Sequence, residues 1–316
     1  MTLAFTFPGQ GSQAVGMGKA LAGAFAPARE VFEEVDDALD QKLSRLMFEG
    51  PAEDLTLTEN AQPALMAVSL AVMAVLEAEG GITVTRADFV AGHSLGEYSA
   101  LAAAGTFSLS DTARLLKIRG QAMQRAVPVG EGAMAALLGI DLEPVVEIAR
   151  AASEATGGKV CQIANDNAPG QVVISGAAAA VEAALDPARE AGARRAVMLD
   201  VSAPFHCSLM QPAADAMAEA LADIELAPPA VPVVANVSAS ATTNPAQIRR
   251  NLVAQVTAMV RWRETVLWLA ENGVTTLYEI GTGKVLSGLA RRIDRDLKSV
   301  PVGTPDDIEA AVKLPG

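Results

Sequence analysis

Cysteine, histidine and positive charge are all scarce in this chain, and each scarcity removes a class of function. Two cysteines, Cys161 and Cys207, make no disulfide framework, and no cysteine/histidine spacing resembles a metal site. Lysine and arginine number 24 against 37 aspartates and glutamates, a net charge of −13. That balance argues against nucleic acid as a partner. It also requires any anionic ligand to be met by a local basic cluster, because the global field repels it. The longest apolar stretch, Ala64 to Leu76, carries Ser69 and stops at Glu77, too short to span a bilayer. It is expected as a buried helix, with no membrane contact. Met1-Thr2-Leu3-Ala4-Phe5 has no basic n-region, so no signal peptide is expected and the cytoplasm is the default compartment.

What is present is apolar and rich in alanine. Hydrophobic residues make up 51% and charged residues 19% of the 316 residues, which excludes disorder and suits a helix-rich α/β protein. Leu3–Phe7 reads as a short buried strand, followed by a helix near Met17–Ala24. An amphipathic helix over Pro27–Leu39 has Val31, Val35 and Leu39 on one stripe. Pro63 is expected to open an Ala64–Ala78 helix. Phe89–Ala91 reads as a strand, Gly105 closes the helix after it, and Ser110-Asp111 caps the helix that holds Arg119. From Gly132 the order is strand Ala133–Leu138, helix Glu143–Ala155, strand Val160–Ala164, strand Gln171–Ser175, helix Ala177–Ala191 and strand Ala196–Leu199. This βαββαβ order is that of a ferredoxin-like unit. It divides the chain into a discontinuous large domain, residues 1–128 and 200–316, and an inserted domain, residues 129–199. Helices near Leu209–Ile224, Gln247–Met259 and Arg263–Asn272 and strands at Val231–Asn236 and Thr275–Ile280 follow. The tail after Val302 reads as loose.

Gly92-His93-Ser94-Leu95-Gly96 carries the chemistry. It lies where the Phe89–Ala91 strand ends and the Leu95–Ala104 helical stretch begins, the setting of a nucleophile elbow. The glycines permit a sharp bend, so the Ser94 hydroxyl projects into a cleft. The Leu95 N–H then lies at a helix start, directed at any oxyanion formed there. A serine nucleophile needs a base, and only His93 and His206 are available. Adjacent side chains at a tight turn diverge, so His93 reads as structural or cleft-lining. His206 lies before a predicted helix, where the dipole favours neutral imidazole. Its orienting group stays open among Asp200, an amide and a backbone carbonyl. Arg119 sits on the core-facing stripe with Leu115, Leu116, Ala122 and Met123, where a cation needs an acidic partner. That partner is either a glutamate of the fold or a free carboxylate on a substrate. Gly9-Gln10-Gly11-Ser12-Gln13-Ala14 matches a dinucleotide fingerprint. The acidic residue expected after a second strand is missing, because Arg29–Asp40 is amphipathic helix. The glycines are therefore read as letting the Gln10 backbone donate to an oxyanion.

Together, Phe7-Pro8-Gly9-Gln10-Gly11-Ser12-Gln13, Gly92–Gly96, Arg119-Gly120-Gln121-Ala122-Met123 and Pro204-Phe205-His206 resemble the malonyl-CoA:acyl carrier protein transacylases. Val260-Arg261-Trp262 and Glu279-Ile280-Gly281-Thr282-Gly283-Lys284-Val285-Leu286 extend the resemblance from Leu3 to Ile293. It implies an α/β-hydrolase-like large domain with a parallel sheet and the ferredoxin-like insert. It further implies Ser94 as nucleophile, His206 as base, Gln10 and Leu95 as oxyanion donors, and Arg119 on the malonyl carboxylate. By resemblance alone, Gln255 supports the histidine through its carbonyl, and Phe205 goes with an unbranched malonyl group. The implied partners are malonyl-CoA and acyl carrier protein, in the supply of fatty-acid synthesis, with no metal or redox cofactor. Arg194-Arg195, with Arg291-Arg292, form the basic cluster expected to meet both anionic substrates. The competing expectations are a serine esterase or thioesterase with the same elbow, and a nucleotide-binding module resting on the glycine loop.

Overall fold

In the computed structural model, which describes residues 2–313, the strands in chain order are β1 (Leu3–Phe7), β2 (Phe89–Gly92), β3 (Gly132–Leu138), β4 (Cys161–Ala168), β5 (Gln171–Ala177), β6 (Arg195–Met198), β7 (Val233–Ala235), β8 (Ser240–Thr242), β9 (Thr276–Ile280) and β10 (Lys298–Val302). They form two sheets. The larger runs β10-β9-β1-β2-β7-β8, parallel from β10 to β7, with β8 antiparallel at one edge. All five residues of β1 are buried, as expected for a central parallel strand covered on both faces. The smaller sheet runs β4-β5-β3-β6, fully antiparallel. It has its own apolar cluster, including Leu137, Val145, Ile174 and Val181, and its strands come from one continuous stretch of chain.

Several boundaries differ from the sequence reading, each for a local reason. The apolar stretch belongs to a 23-residue helix, Thr58–Gly80, with Pro63 inside rather than at its start. That helix is long and apolar enough to cross a membrane, yet it lies mostly inside the fold. Pro63 removes one N–H from the ladder, and the dense burial of Ala61–Val68 holds the helix through it. The Leu109–Ala126 helix is capped by Ser108, whose side chain accepts the Asp111 N–H, and not by Ser110. The buried stripe of the Ala26–Leu39 helix is Ala28, Phe32, Val35 and Asp36; Val31 and Leu39 are half-buried. Asp36 tolerates burial because it accepts the Ser44 N–H and hydroxyl at 2.8 and 2.7 Å. The Ala177–Ala191 helix is two, Ala178–Ala183 and Leu185–Glu190, broken where Pro187 has no N–H for the Ala183 carbonyl. Within the tail after Val302, a Pro305–Val312 helix started by a Thr304/Asp307 capping box replaces the expected loose segment over the described residues. Short helices at Leu43–Glu49 and Ala52–Thr56, and strand β8, had no expectation.

One boundary shapes the site. The helix expected over Gln247–Met259 is Pro245–Gln255. Its final residue has a carbonyl with no following helical N–H to receive, so that oxygen is free for another donor.

Candidate active site

β2 ends at Gly92 and the chain reverses through Ser94 into the Leu95–Ala103 helix. Ser94 has φ 54° and ψ −112°, a conformation that side chains rarely adopt. Asn236, just beyond β7, clamps it. Its Oδ1 accepts the Ser94 N–H at 2.7 Å and its Nδ2 donates to the Gly92 carbonyl at 2.6 Å. The glycines are required by close approach. A Cβ on Gly92 would lie 1.9 Å from the Gly96 backbone, and one on Gly96 2.2 Å from the Phe7 carbonyl oxygen. The helix thus starts against the C-terminal ends of β1 and β2, where open α/β sheets place their ligands.

His206 lies 4% exposed, with Nε2 2.8 Å from Ser94 Oγ and Nδ1 2.9 Å from the Gln255 carbonyl oxygen. A carbonyl only accepts, so Nδ1 carries the proton and Nε2 is left to accept from the Ser94 hydroxyl. Of the groups left open from sequence, it is the helix-terminal carbonyl of Gln255 that meets the ring, while Asp200 lies exposed at the cavity rim. Burial, and then the Arg119 charge, hold His206 down to about 3, so the imidazole is neutral. The helix dipole invoked from sequence is not the cause. His206 has φ 57° and leads into a three-residue 3-10 turn, Ser208–Met210. His93 lines the cavity, its Nε2 2.8 Å from Asn167 Oδ1 of β4, matching the cleft-lining reading.

Arg119 is 1% exposed and projects from the Leu109–Ala126 helix to the same point. One terminal nitrogen donates to Gln62 Oε1 at 2.6 Å. The other donates to Gln255 Oε1 at 2.9 Å and to Ser94 Oγ at 3.1 Å. Among the described residues no carboxylate lies within ion-pair distance of it, and its Nε has no acceptor. The structural salt bridge considered from sequence is therefore not made. Burial lowers its pKa, opposed by the Tyr98 and Glu97 side chains around it.

These side chains open on a cavity of about 290 Å³ between the two sheets, lined also by Gln10, Gln62, Met134 of β3, Asn165 of β4 and Phe205. Gln10 is fixed by accepting the Thr58 hydroxyl at 3.0 Å, and Thr58 in turn accepts from Gln62 Nε2 at 2.8 Å. The backbone N–H groups of Gln10 and Leu95 donate to no acceptor among the described residues. The structure therefore brings Ser94, His206, Gln255, Arg119, Gln10 and Leu95 together. Arg194 and Arg195 lie outside, exposed at one end of β6. Arg292 reaches the same end of the small sheet, donating to Gln171 Oε1 at 2.9 Å across the strand row Gln171–Leu138–Arg195.

Gln62, Asn236 and Glu97 were missed from sequence. The available signal was a polar residue buried in an apolar setting: Gln62 within Ala61–Val68, Glu97 within an alanine-rich helix, Asn236 at a strand end. That signal marks an unusual position without saying what it touches.

Residues 4–305 match the acyl transferase domain model. The chain is 50% identical to the malonyl CoA-acyl carrier protein transacylase of Bacillus subtilis strain 168, covering 98% of this chain and 96% of that one. It superposes on an acyl-carrier-protein-S-malonyltransferase from Bartonella henselae with a TM-score of 0.96, at 62% identity over 99% of each chain. It superposes on a malonyl-transacylase solved with a type II PKS acyl-carrier protein with a TM-score of 0.95, at 43% identity over 99% of each chain. On this evidence the chain is an acyltransferase and belongs to the acyl transferase domain family, among the malonyl CoA-acyl carrier protein transacylases.

Proposed function

We propose that this enzyme moves a malonyl group from malonyl-CoA to the phosphopantetheine thiol of acyl carrier protein through a malonyl–Ser94 ester, in two half-reactions. The observation that carries this reading is the buried Arg119 guanidinium, without a carboxylate within ion-pair distance among the described residues and 3.1 Å from the nucleophilic oxygen. A carboxylate-terminated acyl group supplies a direct anionic partner and is held by a two-pronged donor.

In the first half-reaction Ser94 Oγ loses its proton to His206 Nε2 and attacks the thioester carbonyl. The developing oxyanion is met by the N–H groups of Gln10 and Leu95. The C–S bond breaks, and His206 returns its proton to the departing CoA sulfur. In the second, the carrier thiol gives its proton to His206 and attacks the ester, and Ser94 recovers the proton. The Gln255 carbonyl keeps imidazole in the reactive tautomer throughout. Arg119 holds the far end of the acyl group so that the reacting carbonyl sits over the oxyanion donors. No step requires a metal or redox cofactor. Phe205 beside His206 favours the unbranched malonyl group.

The same reading treats residues 1–128 and 200–316 as an α/β-hydrolase-like domain and 129–199 as a ferredoxin-like insert, the cavity lying between them. It places the enzyme in the cytoplasm, supplying fatty-acid synthesis. The relative solved with an acyl-carrier protein supports the choice of acceptor. Mixing with malonyl-CoA should add one malonyl group to the intact protein. Holo-carrier protein should then discharge it within a turnover, and apo-carrier protein should leave it in place. Discharge to water at the same rate without any carrier would instead indicate a thioesterase.

Arg194 and Arg195, with Arg291 and Arg292, are assigned to the anionic carrier and CoA phosphates. Neutralising Arg194 and Arg195 together should raise KM for carrier protein about three- to tenfold at low salt and flatten its salt dependence, leaving kcat in place. An unchanged KM removes the patch from the docking surface.

A further inference from the structure

Behind the nucleophile stands a carboxylate that none of these steps uses. Glu97, third residue of the Leu95–Ala103 helix, is 1% exposed. Its Oε2 accepts the Asn236 N–H at 3.0 Å and Gln255 Nε2 at 2.8 Å. Asn236 is the clamp on the elbow. Gln255 supplies both the amide oxygen against Arg119 and the carbonyl that orients His206. An ionised carboxylate only accepts hydrogen bonds, so together with the Ser94 carbonyl, which accepts from the same Nε2 at 3.1 Å, it turns the Gln255 amide nitrogen inward and leaves the amide oxygen for Arg119. One side chain thus ties together the three parts of the site that must be in register.

Glu97 also balances charge. Arg119 is the cation that acts on it, one amide away. The other titratable group that senses it is Tyr98 on its own helix. Strands β1, β2 and β7, packed against this helix, carry no titratable side chain, and Glu59 of the Thr58–Gly80 helix is paired with Lys117 at 3.1 Å. Arg119 and Glu97 are thus the buried cation and the buried carboxylate behind the nucleophile. A substrate carboxylate on Arg119 makes two anions share one cation in a poorly solvated space, which is relieved when one accepts a proton. We propose that Glu97 is a positioning residue for acyl transfer, setting the Gln255 amide and Arg119 while ionised and taking up a proton from solvent as the acyl carboxylate binds.

Burial already raises the Glu97 carboxyl to about 7, so this protonation falls in an accessible range. The sign follows from linkage. Binding that raises a carboxyl pKa is strongest below the free-enzyme value and weakens as pH rises through it. The proposal rests on the malonyl reading above, and the experiment separates the two. Calorimetric binding of malonyl-CoA and acetyl-CoA to Ser94→Ala, in buffers of different ionisation enthalpy at pH 7.5, should show about half a proton more taken up with malonyl-CoA. In the parent enzyme the half-saturating malonyl-CoA concentration should rise about fivefold from pH 6 to pH 8 relative to acetyl-CoA. Glu97→Gln, which keeps the acceptor oxygen but not the charge, should remove both differences. Equal proton uptake for the two thioesters, or a pH slope that survives in Glu97→Gln, overturns the role of Glu97. Absence of a malonyl adduct on the parent enzyme overturns instead the reading on which it rests.

Discussion

Ser94→Ala should leave no covalent adduct after incubation with malonyl-CoA and should lower kcat/KM for transfer to carrier protein by at least about ten-thousand-fold. The magnitude follows from how much converges on one oxygen. Ser94 Oγ meets the His206 base at 2.8 Å and Arg119 at 3.1 Å, in a backbone conformation maintained by Asn236. Removing the oxygen leaves the oxyanion donors, the neutral histidine and the cation in place with nothing to activate. Malonyl-CoA should still bind the variant, so the loss should appear in kcat rather than in thioester affinity. Because the groups act as a unit, His206→Ala should cost nearly as much, and the double variant little more than either alone. Intact-mass spectrometry reads the adduct directly. A full-sized adduct on Ser94→Ala would move the nucleophile elsewhere.

Arg119→Ala should lower malonyl transfer by about a hundred- to a thousand-fold while leaving acetyl transfer within a few-fold of the parent, or faster. The contrast between the two acyl groups is the decisive quantity. Arg119 also donates to Gln62 and Gln255, so its removal loosens the cavity wall for both substrates. Only the malonyl group additionally loses the group that receives its carboxylate. Arg119→Lys should restore little, since an ammonium on a flexible stem cannot offer two parallel donors or reproduce the Gln62 and Gln255 contacts at once. Competition between malonyl-CoA and acetyl-CoA, with the acyl-enzymes weighed, measures the ratio in one sample. Equal loss for both thioesters would reduce Arg119 to a structural role.

The parts of the site legible from sequence were those set by local pattern or by scarcity. The elbow showed itself because G-x-S-x-G fell between a strand and a helix. His206 emerged because the chain has one other histidine. Arg119 stood out by helical periodicity, since a cation on a buried stripe conflicts with its surroundings. Much of the order of elements followed from the same periodicities. The rest depended on tertiary contact. Asn236 meets Ser94 across 142 positions and Gln255 meets Glu97 across 158, separations at which no sequence window carries information. Boundaries were lost for a related reason. Pro63 normally marks a helix start, and packing overrode it, whereas the Pro245–Gln255 helix stopped before its apolar pattern did. The carbonyl exposed by that early stop is the one that meets His206. Gln255 was accordingly found through resemblance and not through periodicity.

The placement of β1 has a consequence for biosynthesis. Strand β1 is an inner strand of the large sheet, flanked by residues 89–92 on one side and 276–279 on the other, and is synthesised long before its second neighbour. One edge of the nascent sheet therefore stays unpaired until residues 276–280 have been translated, while the antiparallel sheet of residues 132–198 has all its strands much earlier. Over that interval β1 presents an apolar, unprotected edge to other chains, so crowding and chaperone supply should weigh on the yield of this enzyme more than on its stability once formed.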